Sequence, residues 1–455
     1  MTTQPVTLVP KLGLTSVVAF GLSYMAPSLV MIIFGIIAAA SAGTAPTAFI
    51  VSTIAIFLTA LSYAKMARLF PTSGSAYSYA RKLLNSPIGF LVGWSVLLDY
   101  LFLPMLAWLT QGIYLNAQYP QIPIWVWMLI NAVLTTVINI AGVVLSDRVN
   151  KVFTTGALLL VLLFAGYCVA YLTHTHPVSY TAPLWNHDTT LIGISGAAAI
   201  AAYSFLGFDA VTTLSEETHN ARKTIPRAVL LVVGIGGVLF SGVAYLMQLV
   251  HPGGVFDDPQ IAGYSLSIQV GGQAFADWTN LAGIIAGFAA GLAVQLGSSR
   301  MLFIMGRDGV FPKRIFGKLN ARTRTPIYCI LATLLMCIVG LNLSLETASA
   351  FINFGAFSAF TVVNICVIAY FVRNRKTRPV GVIGYVIIPG LGACVTAYML
   401  TQLSPVALMI GGCWLVAGVG YLTWITRGFR RPTPEPGLDE QLPTEPEPES
   451  EPINA

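Results

Sequence analysis

Residues 21–28 read Gly-Leu-Ser-Tyr-Met-Ala-Pro-Ser and lie in the middle of an apolar stretch over residues 13–40. Pro27 lacks an amide hydrogen and its ring clashes with the preceding turn, so a helix over this stretch should break there. A second interrupted stretch reads Ser-Phe-Leu-Gly-Phe-Asp over residues 204–209, with a glycine and an acid inside an apolar run. The sequence therefore predicts two apolar helices that are each broken near the middle, at Gly21–Pro27 and at Gly207.

Around these two breaks the chain alternates between apolar stretches of about 17–30 residues and short polar segments, as a hydrocarbon core about 30 Å thick requires of spanning helices. Twelve spans are predicted, over residues 13–40, 46–68, 88–117, 123–145, 150–172, 190–215, 226–250, 273–304, 326–341, 346–372, 381–402 and 404–426. The predicted fold is therefore an all-α integral membrane protein.

The 24 lysines and arginines follow this map. They occur only before the first span, in every second polar segment and after the last span, and the alternate segments contain none. Cytoplasmic segments carry the excess of positive charge in membrane proteins. Both termini are therefore predicted to be cytoplasmic.

The composition excludes several other classes of protein. Hydrophobic residues make up 56% of the chain and charged residues 9%, which is typical of a membrane protein. Seven of the 18 acids lie in the last 21 residues, so the rest of the chain carries +13. This charge faces anionic lipid and does not indicate a nucleic-acid partner. We expect a short cytoplasmic segment over residues 1–12, the helical domain over 13–426, and an acidic, proline-rich and disordered cytoplasmic tail over 427–455.

The two breaks occupy matching positions in two groups of five spans, residues 13–172 and 190–372, and the spans over 381–426 lie outside this symmetry. Because five is odd, the two groups have opposite orientations in the membrane. Paired broken helices in inverted halves indicate a transport site near the bilayer midplane. The alternative is that both breaks are ordinary kinks, which proline and glycine often produce in membrane helices.

Two predicted cytoplasmic segments contain long distinctive runs, Phe-Pro-Thr-Ser-Gly-Ser-Ala-Tyr-Ser-Tyr-Ala-Arg over residues 70–81 and Gly-Arg-Asp-Gly-Val-Phe-Pro over 306–312. These runs resemble loops of the amino acid–polyamine–organocation transporter superfamily. The runs over 97–102, 204–218 and 351–356 are similar to the bacterial putrescine importers. The resemblance implies a five-plus-five inverted-repeat core like that of the leucine transporter, alternating access, import driven by protons, and a multi-pass location in the bacterial inner membrane.

Asp99 and Asp209 are the two acids predicted deepest in the membrane, in the third span and in the break of the sixth. An intramembrane carboxylate by default marks a path for substrate or ions. Since no lysine or arginine is predicted at that depth, either acid could exchange a proton for a cationic substrate. The alternative is a structural role, as a helix cap or a buried hydrogen-bonded acid.

Aromatic side chains lie beside both acids and both breaks, and an aromatic face attracts an ammonium group by about 0.5–2 kcal/mol. Core or lipid packing is the alternative role for each ring. The predicted substrate-binding residues are Ser23, Tyr24, Met25, Ala26, Asp99, Tyr100, Ser204, Phe205, Gly207, Phe208 and Asp209, with Asp209 and Asp99 as proton-coupling residues.

The chain departs from its relatives at three positions. Amino acid transporters of the superfamily have Gly-x-Gly at the first break, whose amides bind a carboxylate, whereas this chain has Met25-Ala26-Pro27. The putrescine importers have an acid where this chain has Ile32, and cationic amino acid transporters have a lysine near Ala157. The first departure favours a ligand without a carboxylate, and the second removes a partner for a second ammonium.

Other patterns receive structural interpretations. Gly283, Gly287 and Gly291 have the spacing of a close helix-packing face. The six cysteines fall in predicted spans without the spacing of a metal site, and we expect no metal and no cofactor.

We therefore expect a secondary active transporter that imports a small organic cation, putrescine or a related amine, together with protons. An amine or amino acid exchanger of the same fold is the first alternative, and a membrane amine sensor without transport is the second. An enzyme is not expected, because the spans contain no metal cluster and no nucleophile–base pair.

Overall fold

The computed structural model describes residues 12–72, 75–142, 147–307, 309–320, 323, 325–376, 381–428, 430 and 433. Within these residues the chain forms helices and no β-sheet. The α-helices are α1 (Leu14–Met25), α2 (Leu29–Ala40), α3 (Ala45–Leu69), α4 (Ser75–Leu83), α5 (Ser86–Gln118), α6 (Ile124–Ile140), α7 (Asp147–Thr175), α8 (Leu191–Ala201), α9 (Ala221–Val250), α10 (Ala262–Arg307), α11 (Lys313–Phe316), α12 (Ile327–Gly340), α13 (Leu345–Asn374), α14 (Ile388–Thr401) and α15 (Pro405–Ile425). Short 3-10 segments cover Ala202–Phe205, Ala210–Glu217 and Pro259–Ile261, and Ile383–Ile387 is a π-helix.

Helices occupy every predicted span. By length and apolar composition, nine helical stretches of the described chain are able to cross a membrane, and the bent pair of α1 and α2 makes ten. α6 and α12 are apolar but shorter. The prediction of an all-helical, multi-pass membrane protein is therefore confirmed, while the number of twelve crossings and the cytoplasmic orientation of the termini stay predictions.

Side-chain caps mark where four of the helices begin. Asn85, Thr190, Ser344 and Ser404 each accept a hydrogen bond from a backbone amide in the first turn of α5, α8, α13 and α15, respectively. These amides have no partner within the helix itself. The sequence thus sets the starts of these helices locally, before any tertiary contact.

The first break separates α1 from α2, and the two helices meet at an angle of 45°. Ala26 has φ 46°, and its amide bonds to the carbonyl of Ser23. The helix resumes with the amide of Leu29 bonded to the carbonyl of Ala26. Pro27 lies between these two bonds, at a position where no helical hydrogen bond requires an amide hydrogen.

The second break follows α8. The helix tightens into the 3-10 turn Ala202–Phe205, the chain turns at Gly207 with φ 105°, and a second 3-10 segment begins after Asp209. A Cβ atom at Gly207 would lie 2.2 Å from Cδ1 of Tyr24. The second break therefore packs directly against the first, and only glycine fits both the backbone angle and the contact.

The start of α1 is tied to neighbouring segments at the end predicted to be cytoplasmic. The amide of Leu12 donates to the carbonyl of Glu217 at 2.9 Å, and the amide of His219 donates to the carbonyl of Leu12 at 2.9 Å. Lys151 Nζ of α7 donates to Ser16 Oγ of α1 at 2.8 Å. These bonds hold the start of α1 in contact with the end of the second break and with α7.

Two further predictions can be compared with the structure. Gly283, Gly287 and Gly291 do not form a close helix contact: Cβ atoms there would meet their nearest neighbours at 3.6–4.0 Å, and all three residues line a cavity.

Cys394 and Cys413 are exposed on the helix surface, whereas the other four cysteines are buried. The tail from residue 434 onward and residues 1–11 lie outside the described residues.

Candidate functional site

Asp99 and Asp209 lie together at the centre of the molecule. Asp99 is on α5 and Asp209 follows the turn at Gly207; each is only 5% exposed. The two carboxylates are close enough to interact electrostatically. Gly355 of α13 allows this part of α5 to approach, because a Cβ atom there would lie 2.4 Å from the carbonyl oxygen of Ser95 and 3.5 Å from the amide of Asp99.

Neither carboxylate has a basic partner among the described residues, and Asp99 Oδ1 has no hydrogen-bond partner. The Asp209 side chain makes no capping hydrogen bond at the start of the 3-10 segment that follows it. The backbone amides of Gly207, Asp209 and Ala210 lie at its carboxylate, however, so the role of a buried hydrogen-bonded acid stays an alternative to proton coupling. A buried carboxylate without a paired cation needs a proton, hydrogen bonds from backbone amides or a cation from elsewhere.

Four tyrosines surround the two acids. Tyr24, Tyr63 and Tyr100 interact electrostatically with both carboxylates, and Tyr203 interacts with Asp99. They come from α1, α3, α5 and the 3-10 turn after α8, so four separate elements contribute one ring each. Aromatic faces and carboxylates together are the chemistry that binds an alkylammonium ion.

Three of the predicted binding residues pack against other helices. Met25 contacts α9, since a Cβ atom at Gly236 would lie 2.5 Å from Met25 Cε. Phe205 also faces α9, where its ring meets Phe240 edge-on at 5.3 Å. The ring of Phe208 packs edge-on to the ring of Tyr63, one of the four tyrosines, with 5.4 Å between the ring centroids. For these side chains the structure favours the packing role.

The other predicted residues lie at the breaks. Tyr24 and Ala26 line the cavity described below, and Ser204 is fully buried with a hydroxyl group that has no hydrogen-bond partner. Ser23 is partly buried. Gly21 lets α1 approach α9, because a Cβ atom there would lie 2.7 Å from side-chain atoms of Val211 and Val232.

A cavity of about 110 Å³ lies beside this centre, between α2, α5 and α10. Tyr24, Tyr203 and Leu206 line it next to the acids, whereas Asp99 and Asp209 themselves do not line it. Its walls extend along α5 to Tyr114, toward the end predicted to be extracellular, and include Ile32 and Gln111. None of its described lining residues is an aspartate, glutamate, lysine, arginine or histidine. Tyrosine side chains therefore separate an uncharged cavity from two buried carboxylates.

Three residues of this region were not predicted from the sequence: Tyr63, Tyr203 and Gln111. Tyr203 directly precedes the run at the second break, and that position was a usable signal. Tyr63 and Gln111 lie in the middle of long helices without a local motif, and only the packing of α3 and α5 brings them to the site.

Comparisons with known proteins agree with this architecture. The model of the amino acid permease family matches residues 12–424. The chain is 36% identical over 439 residues to the low-affinity putrescine importer PlaP of Escherichia coli (strain K12), covering 95% of this chain and 97% of that protein.

Two more distant relatives have other substrates in their names. The branched-chain amino acid permease BcaP of Bacillus subtilis (strain 168) is 27% identical, with 82% of this chain and 83% of that protein covered. The methylthioribose transporter of the same organism is 26% identical, with 86% and 87% covered. The matched relatives are transporters and not enzymes, and the chain belongs to the amino acid–polyamine–organocation family of transporters.

Proposed function

We propose that this protein is a secondary active transporter of the bacterial inner membrane that imports a small organic cation, putrescine or a related amine, by proton symport. The observation that carries the proposal is the pair of buried carboxylates, Asp99 and Asp209, which have no basic partner among the described residues and are surrounded by tyrosines. The similarity to a putrescine importer over nearly the whole chain supports the same substrate class.

A proton and an ammonium ion can replace each other at such a pair. When the site is empty, a proton relieves the repulsion between two carboxylates in a region of low dielectric constant. When an alkylammonium ion binds, its charge takes over that role and the proton can leave. Exchange at this pair is therefore a physical basis for coupling transport to a proton gradient.

The first break supports an amine over an amino acid. A free α-carboxylate needs backbone amides or a cation, and Pro27 has no amide hydrogen at the position where such amides would lie. A substrate carboxylate would also be repelled by Asp99 and Asp209. The branched-chain amino acid permease among the relatives keeps the amino acid alternative open to experiment.

Transport itself requires that the site opens to each side in turn. The hydrogen bonds of Leu12 and Ser16 hold α1 closed at the predicted cytoplasmic end. Release into the cytoplasm then requires these bonds to break, so that α1 moves away from α7 and from the segment around His219. We expect that the 45° break at Pro27 allows α1 to move without α2.

The test is uptake of labelled putrescine into proteoliposomes with an imposed proton gradient, with competition by amines and amino acids. Diamines and simple primary amines should compete better than neutral or acidic amino acids. Uptake should collapse when the gradient is abolished. Counterflow that persists without a gradient would favour an exchanger, and binding without uptake would favour a sensor. A neutral amino acid that competes better than every amine would overturn the proposal.

A further inference from the structure

Gln111 is a buried amide that the site described above does not use. It lies on α5, is 5% exposed and lines the cavity on the side of the tyrosines away from the acids. Its Oε1 has no hydrogen-bond partner. A buried amide oxygen without a partner is destabilising relative to one that is hydrogen-bonded. A ligand with an N–H group could satisfy it.

The surroundings leave room for such a ligand. Cβ atoms at Gly287 and Gly291 of α10 would lie 3.6 and 3.8 Å from Gln111 Nε2, so these glycines leave the nitrogen end of the amide open toward the cavity. The terminal torsion of glutamine is broad and the two ends of the amide have nearly the same shape, so a half-turn can bring the oxygen to the cavity.

The neighbouring polar side chains have already used their hydrogens. Thr110 Oγ1 donates to the carbonyl of Leu106 at 2.8 Å, and Thr279 Oγ1 donates to that of Phe275 at 2.9 Å. Ser267, Tyr114 and Asn280 likewise donate to backbone or side-chain oxygens, namely those of Gly263, Met31, Tyr114 and Gln118. Their remaining lone pairs are acceptors. This part of the cavity therefore suits a ligand that donates hydrogen bonds, and an ammonium group offers three.

Gln111 and Asp99 belong to different binding positions. They are twelve residues apart on α5, which corresponds to about 18 Å along a helix. Twelve residues also turn an α-helix by about 120°, so the two side chains leave α5 on different faces. An amine beside Gln111 must pass the layer of Tyr24, Tyr203 and Leu206 before it meets the carboxylates.

We propose that Gln111 forms an outer binding site, in which an incoming primary amine donates hydrogen bonds to Oε1 before it moves to Asp99 and Asp209. This inference rests on the proposed function. The outer site contains an amide and hydroxyl oxygens but no carboxylate, so it binds an ammonium weakly and releases it readily to the charged pair. The outer site should therefore change the rate at which substrate is captured and leave the equilibrium affinity for the carboxylate pair unchanged.

The experiment compares wild type, Gln111→Leu and Gln111→Glu in proteoliposomes with labelled putrescine. Loss of the acceptor in Gln111→Leu should lower kcat/KM for uptake about tenfold, with the maximal rate changed by less than about twofold. Equilibrium binding of putrescine to the purified protein should stay as in wild type. Gln111→Glu keeps acceptor oxygens at this position and should retain the wild-type kcat/KM or exceed it.

A matched control and a second variant keep the outcome clear. Gln121→Leu makes the same change at an exposed residue between α5 and α6 and should have no effect. Gly287→Val leaves Gln111 in place but covers its amide, and should reproduce the loss of kcat/KM even if Gln111→Leu fails to fold.

The proposal is overturned if Gln111→Leu and Gly287→Val keep the wild-type kcat/KM. It is also overturned if Gln111→Leu lowers equilibrium binding and the maximal rate together, because the residue would then act on the carboxylate pair or on the fold. Failure of the wild-type protein to take up any amine would instead refute the proposed function, and the two failures are therefore distinct.

Discussion

The two helix breaks meet at the centre of the molecule but differ in construction. In the first, a proline without an amide hydrogen separates α1 from α2, and Ala26 adopts φ 46°. In the second, Gly207 adopts φ 105° against the ring of Tyr24, and a buried acid follows at Asp209. The first break therefore bends the backbone and adds no charge. The second break places the carboxylate of Asp209 two residues after a position where only glycine fits. Substitutions at the second break should consequently have larger effects.

The largest effect is expected for Asp209→Asn. The substitution keeps the size and hydrogen-bonding capacity of the side chain but removes its charge and its titration. If the ammonium ion meets this carboxylate in a region of low dielectric constant, putrescine uptake should fall by about a hundredfold or more. The measurement is initial uptake into proteoliposomes, normalised to the amount of folded protein. Asp188→Asn, at an exposed acid beside His187, is the control and should behave as wild type. Near-normal uptake by Asp209→Asn would leave this residue with a structural role.

A large effect is also expected for Gly207→Ala. The added Cβ atom would lie 2.2 Å from the Tyr24 ring, and alanine is strained at φ 105° by about 1–3 kcal/mol. The variant should have a lower melting temperature and roughly tenfold lower uptake. Gly234→Ala in α9 is the matched control, since a Cβ atom there meets nothing within 4 Å. If Gly207→Ala melted like wild type, the close contact between the two breaks would be refuted.

Asp99→Asn and Tyr100→Ala should weaken substrate binding without lowering the melting temperature, because both change the wall of the site and leave the breaks intact. Each should weaken equilibrium binding of putrescine by roughly 1–3 kcal/mol if its contact with the ammonium is direct. The measurement is competition binding on purified protein. Tyr100→Phe keeps the aromatic face and should stay close to wild type. An equal loss in Tyr100→Phe and Tyr100→Ala would assign the effect to the hydroxyl group.

The smallest effect, with the opposite sign, is expected for Ala26→Gly. Glycine adopts positive φ without the penalty that alanine carries, although it also makes the unfolded chain more flexible. The free energy of unfolding should therefore rise by less than about 1 kcal/mol, as judged by thermal melting. Clear destabilisation would show that the Ala26 methyl group contributes packing that outweighs the backbone strain.

Membrane packing explains which parts of the site could be predicted from sequence. Asp99, Asp209, Pro27 and Gly207 are exceptional residues in apolar helices, and each was identified because its chemistry is costly or disruptive in a membrane. Met25, Phe205 and Phe208 were predicted to bind substrate because they adjoin the breaks, but nearness in sequence does not decide which way a side chain points. All three are packed against neighbouring helices or rings.

The glycines of α10 also show that a sequence pattern does not determine how the neighbouring helix packs. Their spacing of four residues is the pattern of close helix contact, yet they line a cavity beside Gln111. A stripe of small residues leaves space next to a helix, and only the position of the next helix decides whether that space is filled. For α10 and α5 it stays open and becomes part of the candidate outer site.

Hydrophobic length, charge and a missing amide hydrogen act locally, so they are enough to predict an all-helical membrane protein with interruptions at Pro27 and Gly207. Only the packed helices show that the two acids are neighbours, that four tyrosines from four different elements lie near them, and that a cavity with an unpaired amide oxygen lies beyond those rings. These features depend on contacts between residues far apart in the chain. No local preference specifies such contacts, and they arise only when the helices pack together.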